Sequence, residues 1–179
     1  MLRGDKIQLR AVERDDLTRM RDWRNLPEFR RNFREFRELN MANQEAWFAR
    51  TSASPNDFMF VIERTADRAP IGVAGLVYVH WVLRSADISL YLGEGETYID
   101  GPGGLAEDTA KTLIRYGFDS LNLHKVWTEL YSFDERKVAL FTRLGFARDA
   151  VLRDNAFEDG RYHDSYIYSL LRSDEEVKP

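Results

Sequence analysis

Residues 98–118 read YIDGPGGLAEDTAKTLIRYGF. A glycine cluster broken by one proline runs straight into a segment whose positions Leu105, Thr109, Leu113, Tyr116, Gly117 and Phe118 recur near the helical period. The spacing predicts a helix over 105–121, with small Ala106 in its first turn. A helix start carries N–H groups without intrahelical partners and a partial positive charge of roughly half a unit. A phosphate placed there satisfies both. The same residues also make an ordinary turn, and Glu107 and Asp108 already bring negative charge to the helix start. Taken alone, the stretch allows either a turn or an anion cradle.

Immediately upstream, FMFVIER (58–64), PIGVAGLVYVHW (70–81) and ADISLYLG (86–93) are rich in valine, isoleucine and aromatic residues and separated by turn-length polar pieces. That pattern predicts an antiparallel meander. Nearer the N-terminus, KIQLRAV (6–12) alternates polar and apolar residues as a half-buried strand does. DDLTRMRDWRN (15–25) sets Leu17, Met20 and Trp23 on one helical face, and Pro27 then re-aims the chain. EFRRNFREFREL (28–39) reads as helix or irregular loop, and NQEAWFARTSAS (43–54) as a short helix capped at Asn40 or Asn43. Downstream, HKVWTELY (124–131) is a strand and ERKVALFTRLGF (135–146) a helix closed at Gly145. ARDAVLRDNAF (147–157) and RYHDSYIYSLL (161–171) form two strands joined across EDG (158–160). The expected fold is α+β: one domain over 1–179 built on a mixed, mostly antiparallel twisted sheet of about seven strands, with helices on both faces.

Composition narrows the function. A chain of 179 residues can bury one real core, and a net charge of −4 supplies no general field for nucleic acid. No apolar run approaches the roughly 18 residues of a membrane span. The N-terminus lacks the apolar heart of a secretory signal, so a cytoplasmic protein is expected. With no cysteine, disulfides and thiolate metal sites are excluded. His80, His124 and His163 fall in no metal-ligand spacing, and no metal is expected.

Taken in order, WRN (23–25), NQEAWF (43–48), PIGVAGL (70–76), RSADISLYLG (84–93), the glycine cluster, LNLHKVWTELYSFDERKVALFTRLGF (121–146) and EDGRYHDSYIYSLL (158–171) resemble the GNAT acetyltransferase superfamily. The branch they resemble most contains ribosomal-protein alanine, spermidine and amino-sugar acetyltransferases. The resemblance covers nearly the whole chain and implies the GNAT fold, acetyl-CoA as cofactor and acetyl transfer to an amine. The family motif Arg/Gln-x-x-Gly-x-Gly/Ala falls on GPGGLA, where Gly104 and Ala106 match and Gly101 replaces the long polar side chain. The resemblance then assigns the coenzyme A diphosphate to the backbone N–H groups of Gly103, Gly104, Leu105 and Ala106. It assigns pantetheine to the strand at Leu90, Tyr91 and Leu92. Asp134 and Phe141 stand where the family carries asparagine and tyrosine on the second helix, which flanks the cofactor. Lys111, Arg136, Lys137 and Arg143 offer countercharge to its 3′-phosphate.

Acetyl transfer needs a neutral amine, although alkyl amines titrate near 10, so a base or water chain assists. Asp87 is the first candidate for that base and Glu129 the second. Phenylalanine donates no proton, so protonation of the leaving thiolate falls to Tyr131 or to water. The residues expected around the acceptor are Trp23, Arg24, Asn25, Glu28, Arg30, Arg31, Phe33, His80 and His163. The acceptor is expected to be a small-molecule amine such as an amino sugar, or a peptide N-terminus, taken by a monomer or homodimer. Nucleic acid is not expected, because Glu28, Glu35 and Glu38 offset the neighbouring arginines. Those arginines suit a phosphate or an acidic peptide better than a polyamine. The rival expectation, motivated by Gly101 and Phe141, is a weakened member of the fold that binds acyl-CoA as a sensor.

Overall fold

The alternation of residues 6–12 becomes strand β2 (Ile7–Ala11), with Ile7 and Leu9 fully buried. In the computed structural model, which describes residues 1–176, β2 pairs on one side with a two-residue strand, β1 (Leu2–Arg3). That pair raises the sheet to eight strands, because two residues are too few for a period-two signal to register. The last three residues of the expected 1–179 domain lie outside the described residues. On its other side β2 leads into the antiparallel meander of β3 (Phe58–Arg64), β4 (Pro70–His80) and β5 (Ser85–Leu92).

Strand β6 (Lys125–Tyr131) then joins β5 in parallel, the one parallel pairing in the sheet. The hairpin of β7 (Ala147–Glu158) and β8 (Arg161–Leu171) turns at Asp159 and Gly160, both with positive φ of 51° and 76°. It docks with β8 between β6 and β7, giving the order β1-β2-β3-β4-β5-β6-β8-β7.

Helices cover both faces. Tyr91 on β5 meets Trp23, Phe29 and Phe33, contributed by α1 (Leu17–Asn25), α2 (Pro27–Arg30) and the segment after it. On the opposite face lies α4 (Leu105–Arg115), whose final turn widens to a π-turn over Tyr116–Ser120. Tyr116 there packs edge-on against Phe58 and Phe60 of β3. Helix α3 (Met41–Ala53) opens on a reciprocal capping box: Asn43 N–H donates to Asn40 Oδ1 at 2.9 Å, and Asn40 N–H donates to Asn43 Oδ1 at 3.1 Å. The arginine- and phenylalanine-rich stretch before it is mostly irregular and is tied down by Asn25, which exchanges hydrogen bonds of 2.7 and 2.8 Å with the Leu39 backbone. Helix α5 (Glu135–Arg143) follows β6, and a short α6 (Arg172–Glu176) ends the described chain. No helix among the described residues is long and apolar enough to cross a membrane.

One irregularity of the sheet positions everything that follows. Strands β5 and β6 pair at only three positions, Ser85 with Lys125, Ala86 with Val126 and Asp87 with Trp127. Beyond Asp87 they part, β5 staying with β4 and β6 with β8.

Candidate active site

The split exposes one edge of β5. Leu92 N–H and C=O pair with Tyr98 at 2.8 and 2.9 Å, so they point away from β4. Backbone groups alternate edges along a strand, which puts those of Leu90 and Ile88 on the same side, where β6 has already departed. A cavity of about 480 Å³ opens over this split, with Arg24, Phe33, Arg34, Asp87, Glu129 and Tyr131 in its wall.

Asp87 stands at the point of the split and is 3% exposed. Burial raises its carboxyl from the ordinary 3.8 to about 6, against the opposing pull of Arg34. Arg34 Nη1 donates to Asp87 Oδ2 at 2.9 Å, and its other nitrogen reaches Glu129 Oε2 at 3.4 Å. Glu129 is further held by Asn155 Nδ2 at 2.8 Å and Ser165 Oγ at 2.7 Å. The two expected acids thus meet through an arginine that the sequence does not single out. Arg34 is one of four arginines in 28–39, and 53 residues separate it from Asp87.

Other expected residues land elsewhere. Lys137 does not sit at a phosphate end: it lines the cavity, its ammonium 4.9 Å from the Tyr98 ring centre and 5.7 Å from that of Phe33. Burial lowers its pKa, while Asp134 and Asp87 counter that effect. Asp134 is committed within the protein, capping Lys137 N–H at 3.1 Å and accepting the Tyr98 hydroxyl at 2.6 Å. Phe141 is 1% exposed and packs at 4.9 Å against Phe146, because it shares the buried stripe of α5 with Leu140. It contributes no surface to the cavity. Tyr131 does, half-buried beside Phe133 at 5.3 Å, and burial followed by Glu129 raises its hydroxyl pKa.

The glycine cluster carries an anion of its own. Leu105 N–H donates to Asp100 Oδ2 at 2.5 Å and Ala106 N–H to Asp100 Oδ1 at 3.0 Å. A Cβ on residue 104 would strike that carboxylate, so glycine is required for Asp100 to reach the helix start. Gly103 N–H donates to Glu107 at 3.0 Å and Gly104 N–H to the Gly101 carbonyl at 3.1 Å. Lys111 first, then Gly103, hold the Glu107 carboxyl down at about 2. Beside the loop a cleft of about 560 Å³ is lined by Asp100, Gly101, Pro102, Arg136, Ala139 and Arg143, among others. The N–H groups of this loop suit an anion, as the Asp100 carboxylate on two of them shows, and a diphosphate would have to displace it. Arg136, which donates to the Thr97 carbonyl at 3.1 Å, and Arg143, 3.5 Å from Glu107, bring positive charge to the cleft. Lys111 is spent on Glu107 at 2.8 Å.

Of the residues expected around the acceptor, the cavity takes Arg24 and Phe33, stacked with the guanidinium 4.1 Å from the ring centre. Trp23 is seated against Gly93 and Tyr91, and Asn25 ties down Leu39. Glu28 is exposed, and its carbonyl accepts from Asn32. Arg30 pairs with Glu38 at 3.4 Å and Arg31 with Asp159 at 3.2 Å. His80 accepts from Leu83 N–H in the β4–β5 turn, and His163 bridges to the Glu158 carbonyl at 3.2 Å while packing on Phe133. His80, Glu28, Arg30 and His163 are taken up by near neighbours in the chain, and Arg31 by the distant β7–β8 turn, which residue type alone does not disclose.

Comparison with known proteins bears on the family and the fold. Residues 6–147 match the family model for the acetyltransferase (GNAT) domain. The spermidine N(1)-acetyltransferase of Vibrio cholerae is 27% identical over 179 residues, covering 95% of each chain. A putative ribosomal N-acetyltransferase of Bacillus subtilis, YdaF, is 28% identical over 59% of this chain and 56% of its own. The crystal structure of Vibrio cholerae spermidine N-acetyltransferase with CoA and spermine superposes with a TM-score of 0.85 at 24% identity, covering 96% and 98% of the two chains, a likeness of fold. The chain belongs to the GNAT family of acetyltransferases, enzymes that take their acetyl group from acetyl-CoA.

Proposed function

We propose that the protein transfers acetyl directly from acetyl-CoA to the primary amine of a small molecule, of the amino-sugar kind, or of a protein N-terminus. The observation that carries this reading is Asp87, a buried acid titrating at about 6 where β5 and β6 part. When bound, the cofactor supplies an activated acetyl thioester. The Leu90 backbone edge orients its pantetheine arm, and the loop at Gly103 to Ala106 with Arg136 and Arg143 receives its phosphates. Asp87, ionised at neutral pH and fixed by Arg34, takes a proton from the incoming ammonium directly or through water. Glu129 steadies Arg34 from the other side. Tyr131, the half-buried tyrosine of the cavity wall, supplies a proton to the departing sulfur, while the buried Phe141 needs no catalytic replacement. A thiol near 8.5 also leaves partly unassisted at neutral pH.

Because the chain has no cysteine, a thiol reagent reports released coenzyme A without background. Amine-dependent release is expected, and Asp87→Asn lowers it by roughly 10²–10⁴-fold with acetyl-CoA binding retained. Unchanged turnover removes Asp87 from the mechanism. Thermal stabilisation by acetyl-CoA with no release across amines, amino sugars and peptides favours the acyl-CoA sensor instead.

A further inference from the structure

The cavity over the split has an unbalanced wall. Its carboxylates are already engaged: Asp87 and Glu129 by Arg34 at 2.9 and 3.4 Å, and Glu35 by Arg37 at 2.7 Å. Its other cations are not. Among the described residues Arg24, Lys137 and the rim residue Arg50 make no ion pair. Arg24 and Lys137 share the Phe33 ring, at 4.1 and 5.7 Å from its centre, and the buried Nε of Arg24 finds no hydrogen-bond acceptor in the protein. Placing two cations beside one aromatic ring, with a buried donor unfilled, costs free energy that an incoming anion would recover. Burial lowers the Lys137 pKa, Asp134 and Asp87 oppose that, and repulsion from Arg24 and Arg34 adds to the lowering. The cofactor phosphates are not the missing partner, because the glycine loop lies outside this cavity and its own cleft holds Arg136 and Arg143.

Resting on the acetyltransferase reading above, we infer that the acceptor is an amine that also carries a carboxylate or phosphate, which Arg24 and Lys137 receive while Asp87 faces the amine. A polyamine would meet the same two cations and find each cavity carboxylate already bound by arginine. The proposal therefore sets this chain apart from the relatives named for spermidine.

The test compares four amines on the intact protein saturated with acetyl-CoA: glucosamine 6-phosphate, glutamate, glucosamine and spermidine. One or both of the anionic amines should show a kcat/KM at least about tenfold above glucosamine and spermidine, and which of the two leads distinguishes phosphate from carboxylate. Arg24→Gln should remove that preference, chiefly through KM, and Arg24→Lys should restore part of it. Calorimetry should show inorganic phosphate binding to the wild-type protein in the presence of acetyl-CoA, and weaker binding to Arg24→Gln. A wild-type protein with no preference for the anionic amines in turnover or binding overturns the inference. So does an Arg24→Gln protein whose defect lies in acetyl-CoA affinity. Failure of the wild-type protein to bind acetyl-CoA would instead sink the acetyltransferase reading itself.

Discussion

Two regions of this molecule attract anions, and they differ in whether the protein has already satisfied them. At the start of α4, Gly103, Leu105 and Ala106 give their N–H groups to Glu107 and Asp100. In the cavity over the β5–β6 split, Arg24 and Lys137 rest on the Phe33 ring and make no ion pair among the described residues, although Asp134 and Asp87 still attract Lys137 through space. An anion entering the first must displace a carboxylate already hydrogen-bonded there; one entering the second finds none hydrogen-bonded to the Arg24 guanidinium or the Lys137 ammonium among the described residues. The loop therefore trades affinity for order, while the cavity presents the two cations on which the anionic-acceptor proposal rests.

The largest expected effect concerns Asp87, the buried cavity acid proposed as the base. Asp87 has a folded pKa of about 6, above its ordinary 3.8. Its contribution to stability is complete below the unfolded value and is lost as pH rises through 6. At pH 7.5, Asp87→Asn should therefore raise unfolding stability by about 2 kcal/mol while turnover falls by at least about a hundredfold. Chemical denaturation and steady-state kinetics check the two halves, and a destabilised Asn variant would break the assignment of burial as the dominant cause.

Next comes the internal competitor. Asp100→Ala should tighten coenzyme A binding by about tenfold in calorimetry, since each charge-assisted hydrogen bond it vacates is worth roughly 1.5–3 kcal/mol before reorganisation. The same change should cost about 1 kcal/mol of stability through loss of the helix cap. Weaker coenzyme A binding would mean that Asp100 instead shapes the loop for the cofactor.

A smaller effect sharpens the cavity side. The acidic limb of kcat/KM should fall near pH 6, and Arg34→Gln should move it upward by about one unit, because Arg34 favours the ionised acid. A limb that does not move would show that Arg34 only holds the loop. Least in size, Phe141→Tyr should bring no gain in rate and lower stability by about 1–3 kcal/mol, since it forces a hydroxyl into a filled core.

Much of the architecture was legible. The alternating run at 6–12 and the valine-, isoleucine- and aromatic-rich runs at 58–64, 70–81 and 86–93 are strands, the helical spacing after Leu105 is α4, and Asn40 caps α3. These depend on neighbours a few residues away, and local physics writes them into local patterns. The site was legible only in part. Asp87, Glu129 and Tyr131 do converge on one cavity, together with Arg24 and Phe33. His80, His163, Arg30 and Arg31 do not, being occupied by turn and hairpin contacts. Phe141 was expected beside the cofactor because of its place on α5, yet the buried stripe of that helix takes it into the core.

The sequence by itself determined the order of elements, the glycine-bounded start of α4 and the stock of charges available to a site. Tertiary structure decided which of those charges remain free. Asp100 lies a few residues before the helix it caps, and Arg34 lies 53 residues from the acid it holds. The first contact is local but follows no helical or strand period, because it is made by an irregular loop; the second arises only when the segment before α3 folds over the parting of β5 from β6. The same folding sets Arg24 and Lys137 side by side without an ion pair among the described residues, so the charge that faces the cavity is a property of the fold.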